Sequence, residues 1–167
     1  MHGRKIAALA ATAALAGVIA SPAHADDRIC RGTLGAITVD DNVLVPRGAT
    51  CTLTRTYVKG NVQVQSGATL VATRVRVDGN IQSQRGRRVV VRSSRIDGNI
   101  QIERVSGLIV VNANTVNGDI QLFSNRARSE VRRNRVDGNL QCKSNRPAPV
   151  GGGNVVQGNK EDQCRRL

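Results

Sequence analysis

A tetrapeptide recurs through the chain at nearly constant spacing, and it constrains the fold more than any other feature. Gly-Asn-Val-Gln begins at Gly60, Gly-Asn-Ile-Gln at Gly79 and Gly98, Gly-Asp-Ile-Gln at Gly118 and Gly-Asn-Leu-Gln at Gly138. A last Gly-Asn begins at Gly158, and the spacings are 19, 19, 20, 20 and 20 residues. Nineteen residues before Asn61-Val62-Gln63-Val64, the segment Asn42-Val43-Leu44-Val45 matches it, which adds a coil over 41–59 with Asp41 in the glycine's place. A fixed period of this size marks units that cannot bury an apolar face alone and must stack on one another.

Within one repeat the periodicity is two. Over 60–78 the apolar residues are Val62 and Val64, then Leu70 and Ala72, then Val75 and Val77, with polar or small residues between them. This describes three short strands that send alternate side chains inward. Turns fall near Ser66-Gly67, Thr73-Arg74 and Asp78-Gly79-Asn80. A glycine repeated at the last corner suits a backbone site with positive φ. The strands are too short for helices, and β-branched residues dominate them. The pattern predicts an all-β, parallel β-helix of about six coils of 19–20 residues, with three short strands per coil. Neighbouring coils should stack at about 4.8 Å, and right-handed winding follows from the preference of parallel crossovers. A sandwich of short hairpins is the alternative. The spacing does not divide into calcium-binding nonapeptides, and a leucine-rich frame is absent.

The register assigns other residues. Asn114, Asn134 and Asn154 take the position of Val75 and should form an inward asparagine ladder, since buried amides must be satisfied. Gln63, Gln82, Gln101, Gln121 and Gln141 form a second, outward column, read as a surface ladder.

Residues 1–25 are set apart from the repeats. Arg4 and Lys5 precede an apolar run over Ile6–Ala20, Ser21-Pro22 breaks it, and Ala23-His24-Ala25 is an A-x-A cleavage site. This is the layout of a secretory signal peptide, cleaved after Ala25, and the apolar run is short for a membrane span of about 20 residues. The chain over 26–167 is then a single domain with no transmembrane segment, secreted or associated with the cell wall. Two of the 25 Lys+Arg lie in 1–25 and none of the 12 Asp+Glu, which leaves 23 against 12, a net +11. Both histidines, His2 and His24, go with the leader, and one Tyr and one Phe remain. That composition excludes a histidine base, a His-ligated metal and an aromatic platform for sugars or bases; no cofactor is implied.

Four cysteines in an exported chain read as disulfides. Cys51 takes the place of Leu70 near the first coil, and Cys142 that of Val64 near the last. Joining them would cross about four coils, near 20 Å, whereas a disulfide spans about 5.5 Å between Cα atoms. The pairing is therefore Cys30–Cys51 and Cys142–Cys164, one clamp at each end, covering the open terminal coils that every solenoid must protect.

Arg76-Val77-Asp78, Arg95-Ile96-Asp97 and Arg135-Val136-Asp137 repeat a charge pair two residues apart on one strand face, and Thr115-Val116-Asn117 lacks both charges together. These are self-neutralising. A calcium site on stacked Asp78 and Asp97 is disfavoured by the adjacent arginines. Uncompensated charge lies at the corners: Arg47, Arg85 and Arg104, with Arg87, Arg88, Arg126, Arg128 and Arg146 near them, and Arg55, Arg74, Arg92, Arg132 and Arg133 at the next corner. Stacked arginines repel one another and attract polyanions. The candidate anion-binding set is Arg47, Arg85, Arg87, Arg88, Arg104, Arg126, Arg128, Arg132 and Arg133, and its expected partner is an anionic envelope polymer. Nucleic acid would bind it only nonspecifically.

The Gly-Asn-hydrophobic-Gln coils over about 41–160 resemble those of bactofilin-type β-helices, which implies stacked coils able to polymerise end to end. This sequence departs from them in its leader and paired cysteines, and a monomer is expected. The whole chain, with Cys-Lys-x-Asn-x-Pro-Ala-Pro at Cys142–Pro149 and Gly-Asn-Lys-Glu-Asp-Gln-Cys at 158–164, is similar to small secreted actinobacterial β-helix proteins of unassigned function. That resemblance implies export and fold and supplies no activity. The reading is a non-enzymatic structural or binding protein. The alternatives are a β-helix polysaccharide lyase or hydrolase using Arg76, Arg95, Asp78, Asp97 or Asp137, which fold analogy alone suggests, and a self-assembling surface protein. An ice-binding face fails because Thr50, Thr52, Thr54 and Thr69 do not extend through the stack.

Overall fold

The computed structural model describes residues 27–167; the leader and its cleavage site lie outside the described residues. The described chain is all-β, a parallel β-helix of three sheets with eight, seven and seven strands. One coil contributes one strand to each sheet: Val62–Val64 to the first, Thr69–Thr73 to the second and Arg76–Val77 to the third. Each strand pairs in parallel with its counterparts one coil away, as Val62 does with Val43 and Ile81.

Identical register stacks like on like, so the core is a set of vertical columns. Val43, Val62, Ile81, Ile100, Ile120 and Leu140 form one, and Val58, Val77, Ile96, Val116 and Val136 another, all fully buried. Burying an aliphatic side chain of this size contributes about 1.5–3 kcal/mol. The alternation seen in the sequence over 60–78 is the observed burial pattern.

The stack has seven turns rather than the six the repeat suggested. The additional one holds Arg28–Ile29, Thr33–Leu34 and Thr38–Val39. Arg28 pairs with Val43, 15 residues on, whereas Thr33 pairs with Thr52, 19 residues on. Its first corner is four residues short, and without a Gly-Asn signature the coil was not visible as a repeat. The later change of period also falls at this corner: Ile81 and Val89 are eight residues apart, Ile100 and Ile109 nine.

The glycines of the third corner need a different explanation from positive φ. None of Gly60, Gly79, Gly98, Gly118, Gly138 and Gly158 has it. A Cβ on Gly79 would instead lie 2.6 Å from Asn61 Oδ1 and 2.7 Å from the Gly60 carbonyl oxygen of the preceding coil. Glycine is required there because the backbones of adjacent coils approach closely. The space a side chain would take belongs to the preceding asparagine, whose Oδ1 accepts the next coil's amide: Asn80 N–H to Asn61 at 2.9 Å, Asn99 N–H to Asn80 at 2.8 Å.

Left-handed residues sit at the other two corners. The first has Gly48, Gly67, Arg85, Arg104, Ser124 and Ser144, and the second has Arg55, Arg74, Ser93, Ala113, Arg133 and Gly153.

The inward asparagine ladder is present. Asn114 Nδ2 donates to Asn134 Oδ1 at 3.0 Å, and Asn134 Nδ2 to Asn154 Oδ1 at 2.9 Å. Each amide also donates to a carbonyl in the preceding coil, Val91, Val111 and Val131 in turn. A second buried ladder, Asn125 to Asn145 to Gln163, runs at the first corner. On the outside, Gln82, Gln101, Gln121 and Gln141 link in series and end on Glu161.

Both disulfides form as expected, Cys30–Cys51 with Cα atoms 5.5 Å apart and Cys142–Cys164 with 5.2 Å. The second anchors the closing turn after Lys160–Asp162, in which Leu167 N–H bonds to the Cys164 carbonyl and its side chain packs on the core.

Candidate functional site

The third sheet displays the Arg-x-Asp pairs. Arg76 Nε bonds to Asp78 Oδ1 at 3.0 Å, and Arg95 Nε to Asp97 Oδ1 at 3.0 Å. Arg76 also reaches Asp97 in the next coil at 3.5 Å. Its guanidinium lies 5.0 Å from the centroid of the Tyr57 ring, a cation–π geometry. The Tyr57 hydroxyl donates to Asp78 Oδ2 at 2.5 Å. That hydrogen bond raises the phenol's pKa and, with Arg76, lowers that of Asp78. Asn117 completes the network by donating to Asp97 at 3.0 Å. The third pair differs: Asp137 accepts from Gln157 at 2.7 Å, and among the described residues no ion pair joins it to Arg135. Asp78 and Asp97, named for a lyase or for calcium, are therefore engaged by neighbours on both oxygens, while Asp137 accepts on one. Among the described residues no group of three His, Cys, Asp or Glu could hold a metal ion.

The corner arginines are placed by the register. Arg85 and Arg104 are left-handed residues of the first corner, and Arg47 immediately precedes Gly48 there. Arg87, Arg126 and Arg146 form a neighbouring column, set by the hydrogen bonds of the corner backbone. Arg88 opens the strand Arg88–Arg92, and Arg128 precedes Ser129–Arg132. At the second corner Arg55, Arg74 and Arg133 are left-handed, while Arg92 and Arg132 end strands beside them. All are exposed.

Arg132 leaves the uncompensated set. Its Nε bonds to Glu130 Oε1 at 3.0 Å, a pair two residues apart on one strand face. Among the described residues, no ion pair engages Arg47, Arg85, Arg87, Arg88, Arg104, Arg126, Arg128 or Arg133. The sequence rule that found Arg-x-Asp also contains Glu130-Val131-Arg132, read in the opposite order.

Two depressions border the first corner. One, of about 560 Å³, lies over the first sheet and is lined by the amides of Gln63, Gln82 and Gln101, with Arg47, Arg85 and Glu103 at its rim. The other is an open cleft of about 810 Å³ lined by Arg104, Ser106, Ser124, Arg126, Ser144 and Arg146, with Val105 at its base. Sequence reading did not single out this cleft, because its residues come from three coils and two columns. The Arg104-Val105-Ser106 and Ser124-Asn125-Arg126 segments alone do not reveal which columns adjoin.

Among the described residues no helix is long and apolar enough to cross a membrane. Comparison with known proteins finds no matching family model, no matching curated protein and no matching solved structure.

Proposed function

We propose that the protein is an exported, non-enzymatic binding protein whose arginine corners hold it, as a monomer, on an anionic polymer of the cell envelope. The observation that carries this reading is the exposure of guanidinium groups along the first corner with no carboxylate paired to them among the described residues. Closely stacked like charges raise the local potential and draw a polyanion by releasing its counterions. Two disulfides are compatible with life outside the cell. The engagement of Asp78 and Asp97 by Arg76, Arg95 and Tyr57 supports binding rather than a lyase or hydrolase.

Cosedimentation of the secreted protein, disulfides intact, with purified cell walls tests the reading. Binding should fall steeply with added salt, losing affinity with a log–log slope of about −0.7 to −0.9 per anion contact. It should weaken when Arg85 and Arg104 become Ser. Serine already occupies the same left-handed position at Ser124 and Ser144, so this variant should fold. Absent or salt-insensitive binding would remove the proposal.

A second reading is self-assembly through the coil ends. Ile29 and Ile37 are exposed at one end, and Val150 and Val155 near the other. Sedimentation velocity over a concentration series decides it, since a monomer at all concentrations is incompatible with assembly.

A further inference from the structure

We infer that the cleft formed by Arg104, Arg126 and Arg146 is a binding site for a linear polyol-phosphate polymer lying along the solenoid axis. The inference rests on the envelope-binding reading and assigns it a site and a chemistry.

The cleft is built from a repeated unit. Each of three successive coils places one arginine and one serine on either side of an inward residue: Arg104 and Ser106 flank Val105, Ser124 and Arg126 flank Asn125, and Ser144 and Arg146 flank Asn145. The inward residues are buried, with Asn125 bonded to Asn145 and both donating to carbonyls of the stack. The two flanking columns are thereby fixed to a rigid frame that repeats about every 4.8 Å. A linear ligand running along the stack meets one guanidinium and one hydroxyl per coil.

The lining chemistry selects the ligand. It offers three guanidinium groups and three hydroxyls and no carboxylate or amide. The corner amides of Arg104, Ser124, Arg126 and Arg146 are already spent on carbonyls of adjacent coils, so recognition falls to the side chains. A guanidinium fork with a neighbouring hydroxyl suits the dense acceptor oxygens of a phosphodiester. An acidic glycan also carries several hydroxyls per sugar, each of which requires an acceptor. The groove over the first sheet supplies those in number, with its glutamines and Glu103, whereas the cleft has only its serine oxygens. No aromatic ring lines the cleft, so nucleic-acid bases would find no stacking partner. A flexible poly(glycerol phosphate) chain has the phosphodiester with a single free hydroxyl per unit, which one serine oxygen per coil can accept.

The test measures affinity of the full secreted protein for poly(glycerol phosphate), for oligogalacturonate of matched charge and for oligothymidylate, at one ionic strength. Two double variants remove equal charge: Arg126→Ser with Arg146→Ser in the cleft, and Arg47→Ser with Arg85→Ser at the groove rim. Serine at 126 and 146 repeats the residue found at Ser106 in the same column, and circular dichroism checks the fold. Wild type should bind poly(glycerol phosphate) at least about tenfold more tightly than the uronate or the oligonucleotide, given the charge-assisted forks. The cleft variant should lose about tenfold or more and the rim variant no more than about threefold, since both lose the same long-range attraction. Equal losses in the two variants, or equal affinity for all three anions, would overturn the cleft while leaving general envelope adhesion standing. Failure to bind any of the polyanions would overturn both.

Discussion

Replacing Asn134 with Ala should cost far more than the loss of one polar side chain implies. Asn134 Oδ1 accepts from Asn114 N–H and from Asn114 Nδ2, both at 3.0 Å. Its own Nδ2 donates to the Val111 carbonyl at 2.9 Å and to Asn154 Oδ1 at 2.9 Å. Truncation strands two buried donors of Asn114, each at about 1–3 kcal/mol, and forfeits the net gain of the other two bonds at about 0.5–1.5 kcal/mol apiece. Allowing for partial relaxation, the loss is about 3–5 kcal/mol, a large part of the about 5–15 kcal/mol by which domains are stable. The same truncation at Gln101 breaks two amide bonds on the half-exposed outer face. Water replaces those, so about 0.5–1 kcal/mol is expected there. Guanidinium denaturation of the two variants against wild type measures both, and hydrogen exchange at Asn114 locates the damage. In a solenoid each coil leans on its neighbours, so the coils flanking Asn134 should exchange fastest. If Asn134→Ala fell within about 1 kcal/mol of Gln101→Ala, the inward ladder would not be the specific element argued here.

Gly98→Ala should destabilise by about 1–3 kcal/mol through overpacking, because its Cβ would lie 2.7 Å from the Gly79 carbonyl oxygen. Gly67→Asn, at a left-handed site where a Cβ would meet the Gly48 backbone at an ordinary 3.8 Å, should cost under about 1 kcal/mol; thermal melts that ranked the two the other way would refute the close-approach account. Converting Cys30 and Cys51 to Ser opens a link with a sequence separation of 21 and should cost about 3 kcal/mol by loop entropy, read from denaturation midpoints. Tyr57 is the single tyrosine, so tyrosinate absorbance reports it alone. Its midpoint should lie above the ordinary phenol value and drop in Asp78→Asn. The phenol's contribution to stability is complete below the unfolded pKa and is lost as pH rises through the folded one. The Asp78 contribution is complete above the ordinary carboxylate range and is lost as pH falls through its lowered pKa; an unshifted tyrosine midpoint would contradict the bond. Arg74→Gly should stabilise by about 0.5–1 kcal/mol, as relief of a left-handed residue outweighs the entropy of glycine, and unchanged or lowered stability would show the corner is unstrained.

The coil, its inward columns and both disulfides were legible because they depend on two periods that sit in the sequence itself. Alternation placed Val62, Val64, Leu70 and Ala72 inward, and the 19–20 residue repeat then stacked Cys51 and Cys142 at opposite ends. The role of Gly79 and its counterparts was not legible. Absence of a Cβ serves positive φ and close approach equally, and only the position of Asn61 Oδ1 distinguishes them. The first coil was hidden by its shortened corner. Pairing of Arg132 with Glu130 needed only the rule already applied to Arg76 and Asp78. The cleft was hidden for a different reason: Arg104 and Arg126 occupy different columns, and which columns adjoin depends on where the left-handed residue falls in each coil.

The identity of the left-handed residues bears on whether the corner charge is used. Left-handed backbone costs an ordinary residue about 1–2 kcal/mol and glycine almost nothing. Yet arginine stands at Arg55, Arg74, Arg85, Arg104 and Arg133, while glycine holds Gly48, Gly67 and Gly153. The stack enforces the conformation, since the amides of Arg55, Arg74, Arg85, Arg104 and Arg133 each bond to a carbonyl of the next coil. Solubility alone would not call for arginine at these sites, because outward strand positions such as Thr73 and Gln82 could carry charge with no backbone penalty. At the left-handed corners the arginine side chains are exposed, and Arg85 and Arg104 line the two depressions that border the first corner. Ser93, Ala113, Ser124 and Ser144 accept the same backbone cost without charge, so the penalty reflects a conformation the stack enforces, and contact with a polyanion is what the proposed envelope binding would add at the arginines.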